Sequence, residues 1–597
     1  MFSDLLPVPK RVETLLGSCP RSGGAIDVRC DDVRVQRAVD RWRADQGRNA
    51  AVGPIRVAID PTCAAKDDGY RLTVREEGVE LMGRSAAGCF HGFQTLIQLS
   101  QPTDARGAIP QVPCCTIEDW PDFATRGLLH DVTRGKVPTL STLKRLADRL
   151  AGLKVNQLQL YIEHAFVFDF DHDICGPDDG LTPDDVRELD RYCRERFIDL
   201  VPAMATLGHM GRVLSLPQYR HLAEVEAVRP WSEMNWPQRA RGLTLDCLNP
   251  EAHRLVERMW TEVLDAFTGP VVNICGDEPW DLGRGRNRER LAVGDIGPAY
   301  VAHLQRTHEL CAARGRRTQC WSDVLRNHAS LIGGSLRDST ILHWGYDDRS
   351  DYEGLEVFVR AGVDTFACPG TSGWKRILNA MGLAERNIAT FAAAGRRHGA
   401  TGLLNTDWGD HGHFNALACS WHGITLGAAL GWDSGHVTGS ALDGRFARAV
   451  LGLADAAGVG LLRRVSRIAD TCETWRLFWL PMGEVAADRM LPTLEETDEL
   501  GSAAEEARRW WQSPAAQGAD PADARELAAA CRFSELFAEK VRLARAERPI
   551  EGWSDQVAQA SREYCDVWRI RNKPSGLQDI RAALRTVADE TRPGPVC

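Results

Sequence analysis

The sequence predicts an α/β protein centred on a (β/α)₈ TIM barrel, with a small N-terminal α/β domain before it and a C-terminal helical domain after it. From about residue 125, strand and helix patterns alternate, as they do in parallel sheets built from crossover connections. Eight strand candidates follow within nearly 300 residues, which is the count and span of such a barrel. We expect three domains, which comprise residues 1–118, 119–428 and 429–597.

Each barrel strand candidate is a short apolar run. The eight runs are residues 127–133, 156–164, 199–206, 270–278, 317–324, 339–346, 364–370 and 402–410. Most are separated by segments with apolar residues at three- and four-residue spacing, which predicts amphipathic helices. A doubly wound open sheet is the alternative, but it normally opens with a glycine-rich phosphate loop, and none follows the first strand.

The regions on either side of the barrel have different patterns. Before it, the sequence predicts two strands flanking a helix at 31–46, a hairpin within 69–83 and a second helix at 85–100. Beyond about residue 430 the pattern is helical, with aromatic residues available for packing. Such helical appendages often mediate dimers, so a homodimer is one expectation.

Composition limits the possible partners and location. Hydrophobic residues make up 44% and charged residues 26%, the balance of a folded globular protein. A net charge of −10 and a pI near 5.9 give no basic footprint for nucleic acid or an anionic membrane. The first residues lack a signal-peptide pattern, so we expect a cytoplasmic protein. The 18 scattered cysteines, without a C-x-x-C pair, predict reduced buried thiols more than disulfides or a zinc site.

Polar residues gather at the predicted carboxyl ends of the barrel strands, where sites form in this fold. They are Asp131 and Arg134, Glu163 and His164, His209, Asp277 and Glu278, Trp321 and Asp323, Trp344, and Asp407 to Asp410. The adjacent pair Asp277 and Glu278 is the most informative, because two like charges at close range raise one pKa and so can provide a general acid. The alternative is that the pair only caps a loop or forms salt bridges.

Glycoside cleavage usually uses two carboxyl groups. The seventh strand, where many retaining barrels carry the nucleophile, ends in Cys368-Pro369-Gly370. Either another carboxylate, such as Asp407 or Asp410, attacks, or an acetamido group of the substrate does. Substrate assistance needs one carboxylate to orient that group and a separate acid for the leaving oxygen. Tryptophans at the strand ends would suit the apolar face of a sugar and a methyl group.

Several motifs, in the same order along the chain, resemble those of family 20 glycoside hydrolases, the β-N-acetylhexosaminidases. They are Arg126-Gly-Leu-Leu-His-Asp131-Val-Thr-Arg134, Gly208-His209, Asn273-Ile-Cys-Gly-Asp277-Glu278, Trp321-Ser-Asp323 and Trp408-Gly-Asp410. The hairpin and helix before the barrel are similar to the small domain that precedes the family's barrel. The resemblance covers about residues 1–425.

The resemblance implies an exo-acting, retaining enzyme that removes terminal β-linked N-acetylglucosamine or N-acetylgalactosamine from a glycan through an oxazolinium intermediate, without metal or cofactor. Its catalytic residues would be Glu278 as acid and base and Asp277 as the acetamido partner. The remaining implied site residues, which would bind the sugar or support the acid, are Arg126, Glu163, His209, Trp321, Asp323, Trp344, Trp408 and Asp410. The strand-seven tyrosine of the family is absent, so either Tyr346 or Trp374 is expected to replace it, or the preference for an N-acetyl substrate is weaker than in typical members.

Two other functions remain open from the sequence. A metal-dependent barrel hydrolase is one, because Asp407, Asp410, His411 and His413 lie close together in the chain. However, amidohydrolase-type barrels need His-x-His on the first strand, and this strand has only His130. The other is a sugar-binding barrel that has lost turnover, which the altered seventh strand would allow.

Overall fold

The computed structural model describes residues 2–19, 26–46, 53–100, 111–291, 296–328, 331, 334–435, 439–546 and 552–590. Eight parallel strands follow one another round a closed barrel, and the last pairs with the first, which confirms the predicted fold class. The barrel strands are β7 (Thr125–Asp131), β8 (Gln157–Ile162), β9 (Asp199–Met204), β10 (Val271–Asn273), β11 (Arg317–Trp321), β12 (Thr340–Trp344), β13 (Thr365–Cys368) and β14 (Gly402–Asp407).

Helices connect the barrel strands, and the longer ones cover the outside of the barrel. They are α3 (Leu140–Gly152), α4 (Pro183–Arg194), α5 (Gly211–Leu214), α6 (Trp236–Arg241), α7 (Pro250–Ala266), α8 (Ile296–Ala312), α9 (Gly354–Arg360), α10 (Met381–His398) and α11 (Leu417–Trp432). Their sequences explain the packing: α3 buries Leu143, Leu146 and Leu150, which share one face, and begins at the capping residue Thr139. The short helices α5 and α6 lie in the long connection after β9, above the pocket.

The N-terminal domain is a six-stranded sheet in the order β1-β6-β4-β5-β3-β2. Its elements are β1 (Arg11–Cys19), β2 (Ile26–Arg29), α1 (Val33–Gln46), β3 (Ile55–Ile59), β4 (Tyr70–Arg75), β5 (Gly78–Gly83), α2 (Ala86–Leu99) and β6 (Val112–Asp119). The hairpin and both helices match the prediction, whereas β1 and β6 were not predicted. β1 is exposed along most of its length and β6 contains Pro113, so neither has the regular alternation that identifies a strand.

The C-terminal region is helical, as predicted. It contains α12 (Ser440–Ala449), α13 (Ala457–Ser466), α14 (Thr474–Trp479), α15 (Met482–Ala487), α16 (Leu494–Trp511), α17 (Pro521–Ala546), α18 (Trp553–Arg571) and α19 (Leu577–Asp589). It packs against the barrel through α17, where the buried Asp523 accepts hydrogen bonds from Arg149, Trp421 and Arg571. The last barrel helix, α11, extends to Trp432, four residues past the boundary expected at 428.

The described cysteines all carry free thiols, and sixteen of the seventeen are buried. Within the same residues, none of the helices has both the length and the apolar character needed to cross a bilayer.

Candidate active site

Asp277 and Glu278 lie in a tight loop after β10. The strand was predicted to extend to 278 but ends at Asn273, and the next residues leave the extended conformation. Cys275, Gly276 and Glu278 have positive φ angles of 53°, 91° and 48°. Such angles are costly for residues other than glycine and are concentrated at functional sites. The loop therefore aims the two carboxylates in a way that a regular strand would not.

Two glycines allow this loop to form. A Cβ on Gly276 would lie 2.7 Å from a methyl carbon of Leu304, and the residue also needs a left-handed backbone. A Cβ on Gly208 would lie 2.2 Å from the carbonyl oxygen of Asp277. The glycine before His209 is thus required because the loop after β9 runs directly against the catalytic loop.

His209 joins the two carboxylates. Its Nε2 lies 3.5 Å from Oδ2 of Asp277 and 3.4 Å from Oε2 of Glu278, and its Nδ1 lies 3.9 Å from Oε1 of Glu163. Burial alone would lower the pKa of His209, but Asp277 and Glu278 more than offset this and raise it to about 9. A positive charge at His209 therefore links the pair near neutral pH.

The two carboxylates are unequal. Burial raises the pKa of Asp277, against the attraction of His209. Burial also acts to raise the pKa of Glu278, but its contact with His209 and the nearby Arg134 lower the pKa below its usual value. Only one pKa of the pair is raised, as expected, but the raised one belongs to Asp277.

Arg134 joins several carboxylates at the pocket and also lies 3.4 Å from Nδ1 of His209. It donates to Glu163 at 3.1 Å and lies 3.2 Å from Asp410 and 3.7 Å from Asp131. Burial raises the pKa of Glu163 to about 7, although Arg134 and His209 oppose this shift. Asp131 also accepts a hydrogen bond from the backbone N–H of Gly409, so it ties the loop after β7 to the loop after β14. Arg134 is thereby fixed among the carboxylates of Asp131, Glu163 and Asp410.

Aromatic side chains form the floor and wall. The Nε1 of Trp408 donates to the hydroxyl of Tyr346 at 2.6 Å. Tyr346 stacks on Trp344, with ring centres 5.3 Å apart, and contacts the edge of Trp374 at 4.9 Å. Trp321 is fully buried beneath Trp408. The two residues expected to replace the absent strand-seven tyrosine thus both lie in the pocket, and Tyr346 brings a hydroxyl to it.

Asp323 was expected to bind the sugar, but the structure places it behind the catalytic loop. Its Oδ1 is buried, and its Oδ2 accepts the backbone N–H of Glu278 at 2.9 Å. Burial raises the pKa of Asp323 to about 7, and the neighbouring charges of Asp277 and Glu278 add to the increase. Its contact with the loop makes it a support for Glu278.

The pocket has a volume of about 500 Å³. It brings together Asp277, Glu278, His209, Trp321, Trp344, Tyr346, Trp374, Trp408 and Asp410 from the predicted residues, and adds Arg134, Pro237, Ala240, Arg241, Trp280, Lys375 and His411. The sequence had already placed Arg134 at the end of the first strand, but it gave Arg134 no role in the site. Lys375 and the α6 residues gave no local signal, since only the long loops bring them here.

Arg126 was predicted to bind the sugar, and the structure contradicts this prediction. It lies at the start of β7, at the opposite end of the barrel, and is 1% exposed. Its guanidinium donates to Asp68 of the N-terminal domain at 2.7 Å and to the carbonyl oxygens of Lys154 and Phe123. The motif contains two arginines, and only Arg134 lies on the carboxyl side of the strand, where the pocket is.

The residues considered for a metal site point to different places. Asp407 is buried and accepts hydrogen bonds from Thr371 and Ser420, with His130 at 2.9 Å. Asp410 instead faces Arg134 in the pocket. In the part of the chain that the structure describes, no three His, Cys, Asp or Glu side chains are grouped so as to hold a metal ion. The geometry of these residues therefore does not support a metal-dependent hydrolase.

A closed barrel whose carboxyl end holds a carboxylate pair facing an aromatic pocket defines the chain as a glycoside hydrolase. Two family models narrow this class. "Glycosyl hydrolase family 20, domain 2" matches residues 3–120, and "Glycosyl hydrolase family 20, catalytic domain" matches residues 175–374. Together they account for just over half of the chain. The chain belongs to glycoside hydrolase family 20.

Curated relatives agree with this membership. A beta-hexosaminidase of Porphyromonas gingivalis is 24% identical over 358 residues, which are 55% of this chain and 43% of that protein. A beta-hexosaminidase of Akkermansia muciniphila is 29% identical over 287 residues, 42% of this chain and 55% of that one. The matched region thus spans about half the length of these curated relatives.

Two solved structures share the fold. The N-acetyl-beta-hexosaminidase of Streptomyces plicatus superposes with a TM-score of 0.60 at 22% identity, over 75% of this chain and 94% of that one. The chitobiase of Flavobacterium johnsoniae has a TM-score of 0.62 at 15% identity, over 98% and 99% of the two chains. At these identities the likeness establishes the fold alone.

Proposed function

We propose that this chain is an exo-acting β-N-acetylhexosaminidase, which removes a terminal β-linked N-acetylglucosamine or N-acetylgalactosamine with retention of configuration. The observation that carries the proposal is the unequal pair Asp277 and Glu278 on one bridging histidine, in a pocket whose seventh strand ends without a carboxylate. The other pocket carboxylate, Asp410, is held by Arg134. An acetamido group of the substrate is then the available nucleophile.

In the proposed reaction, the acetamido oxygen attacks the anomeric carbon while Glu278 gives a proton to the departing glycosidic oxygen. Asp277 accepts the acetamido N–H and balances the positive charge of the oxazolinium. Glu278 then takes a proton from the water that attacks the anomeric carbon and opens the oxazolinium ring. This step restores both the acid Glu278 and the acetamido group. A bound sugar excludes water from Glu278, which is 32% exposed in the free pocket, and desolvation raises a carboxyl pKa toward the value that an acid needs.

The aromatic wall suits this substrate. Trp344 and Trp408 offer apolar faces to a sugar ring and an acetamido methyl group, and the Tyr346 hydroxyl can donate to the acetamido oxygen. On the far side, Arg134 and Asp410 provide a donor and an acceptor for ring hydroxyls. Recognition of a terminal sugar requires this combination of one stacking face and paired polar groups.

A panel of aryl β-glycosides with and without the 2-acetamido group tests the proposal. We expect turnover of the acetamido substrates only, an initial product of β-configuration by NMR, and inhibition by thiazoline mimics of the oxazolinium. Glu278→Gln should abolish turnover of substrates with poor leaving groups, and Asp277→Asn should lower the rate on every acetamido substrate. Inversion, or a silent Asp277→Asn, would refute substrate assistance, and binding without turnover would indicate a sugar-binding protein.

A further inference from the structure

Two loops at the catalytic pocket carry strained backbone. The loop after β13 has positive φ angles at Ser372 (55°) and Lys375 (60°), and the loop after β14 has them at His411 (63°) and His413 (51°). Left-handed conformations of residues other than glycine are costly and persist only when the surrounding structure holds them. Lys375 and His411 both line the pocket, so the contacts that hold these loops also set the shape of the pocket.

The helix α14 of the C-terminal region holds the loop after β13. The backbone N–H of Trp475 donates to the carbonyl oxygen of Lys375 at 3.0 Å, and the hydroxyl of Thr474 accepts the backbone N–H of Ile377 at 3.0 Å. The ammonium of Lys375 also lies 3.3 Å from the carboxylate of Glu473, the residue before the helix. Lys375 is therefore fixed through both its backbone and its side chain.

Trp475 reaches the loop after β14 as well. Its indole Nε1 donates to the carbonyl oxygen of His411 at 2.8 Å, and its ring stacks on Phe414, with ring centres 3.8 Å and planes 10° apart. Tyr564 of α18 stacks on the same phenylalanine, with ring centres 4.5 Å apart, and donates to its carbonyl oxygen. Trp475 thus bridges the two strained loops with two hydrogen bonds, one from its backbone and one from its side chain.

A third pocket segment rests on the same residue. Trp236 of α6 packs against Trp475, with ring centres 5.5 Å apart. The same helix contributes Pro237, Ala240 and Arg241 to the pocket lining. Trp475 itself is fully buried and stands one layer behind the residues that line the pocket. Three pocket segments that are far apart in the sequence therefore meet at one side chain of the helical region.

We infer that Trp475 is a positioning residue of the catalytic pocket. Through the loop after β13 it places Trp374, and through the loop after β14 it places Trp408 and Asp410. The inference rests on the function proposed above, in which these side chains meet the ring and the hydroxyls of the terminal sugar. It adds no step to the reaction. The C-terminal helical region is then part of the catalytic unit, because the sugar-binding side of the pocket depends on it.

The expected signature is a change in KM. Trp374, Trp408 and Asp410 contact the sugar both in the bound substrate and in the transition state, and an interaction made equally in both states changes KM and leaves kcat unaltered. The groups that carry out the chemistry, Asp277 and Glu278, stand on the loop after β10 and are held by His209. Displacement of the two loops should therefore weaken binding before it slows the chemical step.

Trp475→Phe tests the inference with a small change. It keeps the backbone N–H and an aromatic ring over Phe414, but it removes the indole donor to the buried carbonyl oxygen of His411. On an aryl N-acetyl-β-hexosaminide, we expect KM to rise about fivefold or more while kcat stays within about twofold. An unchanged KM, or a fall in kcat at constant KM, would overturn the inference.

Trp553→Phe is the matched control. Trp553 is a buried tryptophan of the same helical region, and its indole donates to the carbonyl oxygen of Val587 at 2.8 Å. Neither Trp553 nor Val587 is among the residues that line the catalytic pocket. Both variants should lower the midpoint of urea unfolding, but Trp553→Phe should leave KM within about twofold. An equal rise in KM in the two variants would reduce the effect to general destabilisation and contradict the inference.

Two further measurements keep the outcome decisive. If Trp475→Phe does not fold, Tyr564→Phe decides, because it removes only the donor to the carbonyl oxygen of Phe414 in the same loop; KM should rise at least about twofold, and an unchanged KM would refute the inference. If the wild-type protein hydrolyses no acetamido substrate, the proposed function fails. Calorimetry with a thiazoline mimic then tests the inference alone: Trp475→Phe should bind it at least about fivefold more weakly, and equal affinity or no binding to either protein would overturn it.

Discussion

Removal of the His209 charge should move the pH dependence of the reaction upward. His209→Asn is the suitable change, because asparagine tolerates the left-handed backbone at φ 56° and cannot carry a positive charge. At separations of 3.4 and 3.5 Å, one positive charge stabilises each carboxylate by about 5 kcal/mol at an effective dielectric constant of about 20. Solvent at Glu278 and the remaining charge of Arg134 reduce this stabilisation. We therefore expect the pKa of Glu278 to rise by about 1 to 2 units, which corresponds to about 1.4 to 2.7 kcal/mol.

The assay is the pH profile of kcat/KM on an aryl N-acetyl-β-hexosaminide with a poor leaving group. Both carboxylates lose the same cation, so both limbs of the profile should shift to higher pH. A 4-nitrophenyl substrate, which depends less on protonation, should show a weaker shift of the upper limb. His221→Gln, which removes an exposed histidine paired with Glu251 on the surface, is the control and should leave the profile unchanged. A lower plateau with unmoved limbs would refute the reasoning.

Three further changes test other parts of the site. Tyr346→Phe should lower kcat about 10- to 100-fold on acetamido substrates by removing a donor to the acetamido oxygen, and equal KM and kcat to wild type would contradict that role. Asp323→Ala leaves the backbone N–H of Glu278 unpaired, at a cost of about 1 to 3 kcal/mol, so kcat should fall at constant KM. Asp323→Asn keeps an acceptor for this N–H and should recover most of the lost rate. Identical rates for the two variants would exclude support through that hydrogen bond. Arg126→Met should lower the free energy of unfolding in urea by about 3 to 5 kcal/mol, because it removes the ion pair with Asp68 and the donor to the carbonyl oxygens of Lys154 and Phe123. KM should stay within twofold, and a raised KM at unchanged stability would return Arg126 to the site.

The helical region has a structural part in the site. Trp475 holds the loop that carries Asp410 by donating to the carbonyl oxygen of His411, and Tyr564 donates to the carbonyl oxygen of Phe414 at 2.5 Å. The buried Lys136 donates to the carbonyl oxygen of Asn415 in the same segment. The loop after β14 is therefore fixed from the C-terminal side, which the sequence did not indicate.

The sequence determined the barrel, the order of its strands and the carboxylate pair, because alternating strand and helix periods are local signals and active sites collect at the carboxyl ends of parallel strands. The same rule distinguishes Arg134 from Arg126, since it depends only on where the first strand ends. Only the tertiary structure decided that β10 stops at Asn273 and that the pKa of Asp277 is raised while that of Glu278 is lowered. The lowered pKa of Glu278 depends on His209, which reaches the loop from the neighbouring strand β9.

The cavity of about 640 Å³ beside the catalytic pocket was also beyond the sequence. Its walls come from three barrel loops, a short helix and a segment more than 300 residues further along the chain, and no local pattern records which of these meet. The polar residues at the carboxyl ends of the predicted barrel strands, which form a polar rim, indicated where the active site lies. The packing of long loops against the helical region decided the shape of the cavities at that rim, because such contacts between distant segments arise only on folding.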